Sequence, residues 1–392
     1  MRAVVYRGVN DLRLETVPVP RIGPNELLVK VAVCGVCPTD IKKIQYGTVP
    51  PPRIFGHETA GAIVRTGGGV SVLASRFKIG DRVALHHHVP CLDCHFCRHH
   101  AFAQCETYKR TGITAGFQPA GGGYAEYVRV MPFVLPGVVK IPARNSFAEG
   151  AMLEPVNTVL KAVRRLSLLR GDVVLVAGQG PIGLIFTRLL QLAGAQVIAT
   201  DLLEPRLRLA RKFGARRVCL ATQLSTLNPQ PSLDAAVIAV PSDAAVQQAL
   251  QLIRCGGQLM LFAHTKRLAQ SAVQSPQSKV QNRSRSHFSL QHPLAIYRSS
   301  APARDLSEFS LDLSSICLDE KDLLGSYSSD FTLQREVARL VFSRQLDVRD
   351  LISHFFPLEQ TAAAIALAAR PTEDSLKILV ADGVSRLYSS FI

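Results

Sequence analysis

The chain begins with short stretches in which apolar and polar positions alternate, the period of a half-buried strand. Residues 1–6, 12–16 and 25–33 are expected strands, with Gly23-Pro24 as the turn into the third; residues 61–66 and 82–85 continue the pattern. The first 150 residues therefore predict a mostly-β unit. From Gly171 the pattern changes. Residues 172–177 hold the unbroken apolar run Val173-Val174-Leu175-Val176, as in a strand buried on both faces of a parallel sheet. Helical spacing follows over 181–192. After that, expected strands at 196–200, 217–220, 233–240, 258–262 and 322–327 alternate with expected helices at 204–213, 243–253 and 333–342. Such alternation predicts a doubly wound α/β sheet. A last helix is expected over 358–369 and a closing strand over 376–380.

Two stretches break this order. Residues 221–232 contain two prolines and are too few for a helix with its connections. Residues 265–304 are rich in Ser and Gln, and that profile predicts a disordered insertion. The net charge of +15 is unevenly placed: seven basic residues and no acidic one lie between Thr265 and Arg304, which leaves +8 for the rest of the chain. With no zinc-finger, helix-turn-helix or RNA-binding signature, the charge reads as solvated surface and not as a nucleic-acid partner. No run of eighteen apolar residues and no signal-peptide pattern occurs, so neither a membrane partner nor export is expected. The expected compartment is the cytoplasm. There, nine cysteines, four of them within fifteen residues, favour metal binding over disulfides.

Three groups of residues carry chemistry. Cys37-Pro38-Thr39-Asp40 and Gly56-His57-Glu58 place a thiolate and an imidazole in the chain, the ligands a tetrahedral zinc prefers. Thr39 is close enough to Cys37 to take a proton from something bound to the metal; Asp40 and Glu58 can orient the ligands from behind. A catalytic zinc keeps an open position beside three protein ligands, and Glu154 is the best candidate for the third. Cys91, Cys94, Cys97 and Cys105 put four thiolates in one loop, the donor set of a structural zinc. An iron–sulfur cluster is the rival, although its usual Cys-Pro closure is missing, since Glu106 follows Cys105. Finally, Gly178-Gln179-Gly180-Pro181-Ile182-Gly183 follows a buried strand and opens a helix, where glycines let a pyrophosphate approach the helix N-terminus. Asp201 ends the next strand and can accept from both ribose hydroxyls of NAD while repelling the extra phosphate of NADP. Arg206 is a further candidate for cofactor binding.

In this order, together with Gly121-Gly122-Gly123-Tyr124-Ala125-Glu126-Tyr127 and Glu154-Pro155, the motifs resemble the zinc-dependent medium-chain dehydrogenase family, in particular its polyol and threonine dehydrogenase branch. The resemblance implies a GroES-like, mostly-β catalytic domain from 1–156 and 327–392, with a Rossmann cofactor domain from 157–326 inserted between. It also implies two Zn2+ per chain, with Cys37, His57 and Glu154 holding the catalytic one, and Thr39 passing a proton outward. Lys42 stands where alcohol dehydrogenases commonly carry a relay histidine. The expected activity is hydride transfer from a secondary alcohol, a polyol or hydroxy amino acid, to NAD, by a homo-oligomer (dimer or tetramer). A reductase of aldehydes or quinones on the same fold is the nearest alternative, and a catalytically idle copy that binds a nucleotide or a partner is the alternative of a different class.

Overall fold

The computed structural model describes residues 1–69, 72–86, 89–111, 121–227, 233–263 and 312–381. The expected insertion at 265–304 lies outside the described residues. Two sheets organise the rest. In the first, six strands are all parallel, in the spatial order Arg217–Leu220, Gln196–Asp201, Val173–Ala177, Leu233–Ile238, Ile253–Leu261, Asp322–Gly325. Counted along the chain this is 3-2-1-4-5-6, the doubly wound arrangement. Its order reverses between Val173–Ala177 and Leu233–Ile238, and the turn at Gly178 opens at that point.

Both faces of this sheet are covered, which is why its strands read as uniform apolar runs. On one face Val174, Val176 and Val197 pack with the helices Leu153–Val163, Pro181–Leu192 and Gln334–Phe342; on the other Leu175, Ile198 and Ala236 pack with Asp243–Leu252. The short segment after Arg217–Leu220 forms a 3-10 turn, Ala221–Leu227, as its length requires. Leu224 from that turn caps the second face.

The other sheet runs Ile352–Pro357, Lys377–Ala381, Leu27–Gly35, Glu58–Thr66, Arg82–Ala84, Val139–Lys140, with Tyr127–Val130 also paired to Leu27–Gly35. Both ends of the chain therefore build it. A three-stranded sheet, Asp11–Thr16, Arg2–Gly8 and Arg53–Ile54, lies beside it. Val33 and Ala60 from the seven-stranded sheet share one core with Leu153, Val156 and the parallel strands, so the Leu153–Val163 helix joins the two halves.

Several elements, among them the helices Pro38–Tyr46 and Leu153–Val163, have no counterpart in the pattern-based expectation, and others differ from it. Ile352–Pro357 is a strand that period-2 counting does not predict, because every one of its residues is half-buried and it is held by parallel pairing to Lys377–Ala381. The strand expected at 258–262 begins at Ile253, although Arg254, Cys255 and Gly256 are exposed. The expected helix at 358–369 divides into a 3-10 turn, Leu358–Gln360, and the helix Thr361–Ala369. Among the described residues no helix is long and apolar enough to cross a membrane.

Candidate active site

Cys37 sits at the N-cap of the helix Pro38–Tyr46, where Pro38 fits the first turn and Gly47, at φ 60°, ends the helix. Its sulfur accepts the Thr39 N–H at 3.4 Å. His57 enters from the turn before the strand Glu58–Thr66 and is only 4% exposed. Its Nδ1 faces the fully buried Asp40 Oδ1 at 3.1 Å, which leaves Nε2 as the ring's other ligand atom. The ligand atoms of Cys37, His57 and Glu58 lie within 4.8 Å of one another.

Glu58 is already engaged. Lys377 Nζ, buried, donates to Glu58 Oε1 at 2.6 Å, contacts Oε2, and donates to the Val36 carbonyl at 2.9 Å. Glu154 stands outside the 4.8 Å group but faces it from the first turn of the helix Leu153–Val163. Burial pushes the Glu154 carboxyl up to about 7; His57 and Lys377 pull it down, while Glu58 and Asp40 add to the rise. Burial by itself would lower the His57 pKa, yet the charges of Asp40 and Cys37 raise it well above the ordinary value.

These groups fit a divalent cation. Asp40, Glu58 and Glu154 are buried around one thiol, with Lys377 as the buried ammonium against them, and Asp40 Oδ2 has no hydrogen-bond partner. A thiolate, an imidazole and a carboxylate suit zinc. Two tyrosines that no motif marks belong to the same neighbourhood. The Tyr327 phenol is in the field of His57, Cys37, Glu154 and Asp40; the Tyr108 phenol is in that of Tyr327, Glu154 and Asp40. Burial raises both pKa values. Lys377 is a third residue with no local signal in the sequence, since its partner Glu58 is 319 positions away.

The four-cysteine lobe closes as its spacing predicts. Cys91, Cys94, Cys97 and Cys105 are unpaired as disulfides, and their sulfurs lie within 4.8 Å of one another. Separations of 3.5 Å (Cys94–Cys97), 3.6 Å (Cys105–Cys91) and 3.9 Å (Cys91–Cys97) bracket the ~3.8 Å edge of a tetrahedron with metal–sulfur bonds of about 2.3 Å. Backbone N–H groups of Asp93 and Cys94 hold Cys91 down at about 6, whereas burial and then Cys94 push Cys97 up to about 12.

At the cofactor turn Gly178 has φ 91°, a conformation that favours glycine, and Gly180 leads into the helix Pro181–Leu192. A Cβ on Gly183 would collide with the Gly178 carbonyl oxygen, so helix and turn meet closely. Asp201 Oδ2 accepts the Gln179 N–H at 2.6 Å and Oδ1 the Leu203 N–H at 3.0 Å. Arg206 Nη1 lies 4.0 Å from Asp201, and its buried Nε has no hydrogen-bond partner. Gln179, which the glycine pattern treats as filler, is fully buried: it donates to Val176 O at 3.0 Å and accepts from Thr187 Oγ1 at 2.9 Å, fixing the turn to strand and helix.

Comparison with known proteins gives two family models: an alcohol dehydrogenase GroES-like domain over residues 23–143 and a zinc-binding dehydrogenase over residues 181–295. The chain is 27% identical to a sorbitol dehydrogenase of Bacillus subtilis, over 97% of both chains. It is 31% identical to the sorbitol dehydrogenase of Gallus gallus over 66% of this chain and 74% of that one. Among solved structures, the alcohol dehydrogenase TADH from Thermus sp. ATN1 superposes with a TM-score of 0.73 at 25% identity, covering 97% of this chain and 100% of that one.

Proposed function

Because the chain belongs to the zinc-dependent medium-chain dehydrogenase family, in its polyol branch, we propose that it transfers a hydride from a secondary alcohol of the polyol class to NAD. The observation that carries this reading is the group of half-buried Cys37 with buried His57 and Glu58, with Asp40 orienting the imidazole and Glu154 facing it. We assign Cys37, His57 and Glu154 as ligands of the catalytic zinc, which when bound would supply the Lewis acid that lowers the pKa of a substrate hydroxyl.

The chain's own groups do the rest. Asp40 fixes the His57 ring and its tautomer through Nδ1. Lys377 neutralises Glu58 and holds it behind the ligands. Thr39, half-buried beside Cys37, relays the proton of the substrate hydroxyl, accepting it as it gives up its own hydroxyl proton towards solvent. Gly178, Gly180, Pro181, Ile182 and Gly183 would hold the pyrophosphate of NAD, with the N–H groups of the first helical turn, Ile182 and Gly183, turned to it, and Asp201 would accept from its ribose. Cys91, Cys94, Cys97 and Cys105 hold a second, structural zinc.

The finer assignments belong to the same proposal. Residues 1–156 and 327–392 form the catalytic domain, and 157–326 the cofactor domain. A homo-oligomer is favoured by the edge strand Asp322–Gly325, beside which Leu313, Leu318 and Leu323 are exposed. Four free thiols in one lobe suit the cytoplasm. No observation favours an idle copy. The test is NADH formation by purified, zinc-loaded protein offered sorbitol, xylitol, 2,3-butanediol and threonine. Turnover of a polyol that disappears in Cys37→Ser supports the reading, and no turnover of any secondary alcohol overturns it.

A further inference from the structure

Three histidines of the cysteine lobe, His95, His99 and His100, take no part in the four-sulfur group, and all three are exposed. Two of them share one turn of helix. His95 opens the helix His95–Arg98 and His99 is its C-cap, so they stand four positions apart, the spacing that sets two side chains over one another on one face. The backbone fixes that spacing: the Arg98 N–H donates to the Cys94 carbonyl at 3.0 Å, and the His99 N–H to the His95 carbonyl at 3.3 Å. Cys97, from the same turn, is buried, with its sulfur towards those of Cys94 and Cys91. Thiolates and imidazoles therefore occupy different faces.

The His95 and His99 rings lie with centroids 4.6 Å apart and planes at 61°. Two imidazoles bound to one ion through metal–nitrogen bonds of about 2.1 Å, at angles between square and tetrahedral, have centroids about 4.5 to 5.2 Å apart. The rings already stand at the separation of a chelate. Among the described residues no hydrogen bond engages either of them. Arg98, the cation between them in the chain, is turned to Asp93, with Nη2 3.1 Å from Oδ1. His100 is placed differently: it lies beyond the helix, and its ring meets Phe102 edge-on at 5.7 Å.

We propose that His95 and His99 form a third metal site, an exposed two-imidazole chelate for a late first-row divalent ion such as Zn2+ or Ni2+, separate from both zinc positions. Imidazole nitrogen suits those ions, whereas Mg2+ and Ca2+ seek oxygen donors. With two protein ligands the other coordination positions face solvent, so the ion exchanges freely, unlike one enclosed by four thiolates. The site fills when such ions are in excess and is emptied by desalting, while the two zinc ions assigned above stay with the protein.

The experiment titrates Zn2+ by calorimetry into the full chain, zinc-loaded, desalted and with its retained zinc measured. One further equivalent should bind. His95→Gln and His99→Gln should each weaken it at least about 10-fold, the loss that even an outer partner of a ligand causes, and His100→Gln should leave it unchanged. Mg2+ should neither bind there nor displace the Zn2+. Equal binding by the three variants and the unmodified protein, the absence of a further equivalent, or displacement by Mg2+ overturns the proposal. A second measurement needs no variant: the unmodified protein is treated with diethyl pyrocarbonate with and without Zn2+, and the modified histidines are mapped by mass spectrometry. Zn2+ should protect His95 and His99 several-fold and leave His100 reactive; equal modification of His95 and His99 in the two samples overturns the site.

Discussion

Asp40 illustrates how a residue outside the donor set governs it. Its carboxylate is fully buried, faces His57 Nδ1 and has one oxygen without a hydrogen-bond partner, so its charge is directed at the imidazole. Asp40→Asn keeps the shape and removes the charge; zinc affinity or kcat/KM should fall about 10- to 100-fold, measured by chelator competition and by polyol turnover. Asp201 acts similarly at the other site. Asp201→Ala should weaken NAD binding and narrow the preference over NADP, because it removes the ribose acceptor and leaves Arg206, 4.0 Å away, free to meet a phosphate. Equal use of both cofactors by the unmodified protein would contradict this assignment. Cys37, His57 and the four lobe cysteines are readable in the sequence because ligand chemistry restricts the residue types and their spacing is local. Lys377, Tyr108 and Tyr327 are not: each gains its meaning from a partner brought close only by the fold.

Single elements show where pattern ends and pairing begins. The helix Pro181–Leu192 and the strand Arg217–Leu220 fall where apolar periodicity puts them. Leu153–Val163 is buried nearly all round, Glu154 and Asn157 included, so it presents no polar face from which periodicity could mark it. Gly183→Ala tests the contact between turn and helix: the added methyl meets the Gly178 carbonyl, and NAD binding should be lost in titration while far-UV circular dichroism changes little. The helix Phe147–Ala151 is fixed by a capping box in which Ser146 Oγ accepts the Glu149 N–H at 3.1 Å and Glu149 accepts the Ser146 N–H at 2.7 Å. Asn145 and Arg344 also donate to Glu149. Burial would raise the Glu149 pKa, but these donors, Ser146 first, lower it. A lowered folded-state pKa means that the stabilisation is complete above the unfolded carboxylate value of about 4.3 and is lost as pH falls through the folded one. Glu149→Ala should cost about 2 kcal/mol in urea unfolding at pH 7, and the difference from the unmodified protein should shrink only below about pH 4.

At the scale of the molecule, the two metal positions differ in what surrounds them. The Cys37 site is set in a sheet and helices that carry their own core, whereas the Cys91–Cys105 loop has only the short helix His95–Arg98 and the 3-10 turn Phe102–Gln104 around its sulfurs. Metal analysis should find two zinc ions per chain. Cys37→Ser should abolish turnover with little change in melting temperature, and Cys94→Ser should lower that temperature by several degrees. A single zinc in active protein would contradict the division. The family order of motifs makes the two-part architecture readable along the chain. What it does not reveal is that the Leu153–Val163 helix belongs to both halves, since that follows from side chains meeting across sheets.

The strand Lys377–Ala381 lies between Ile352–Pro357 and Leu27–Gly35, and its first residue is the buried counter-charge of Glu58. Synthesis therefore completes the parallel sheet, through Gly325, while the sheet that carries Cys37 and His57 still lacks an internal strand. Until the ribosome has released that strand, Glu58 has no ammonium beside it and the flank of Leu27–Gly35 is an open edge. In chain order, then, the parallel sheet is complete before the strand that closes the metal-site sheet has been made.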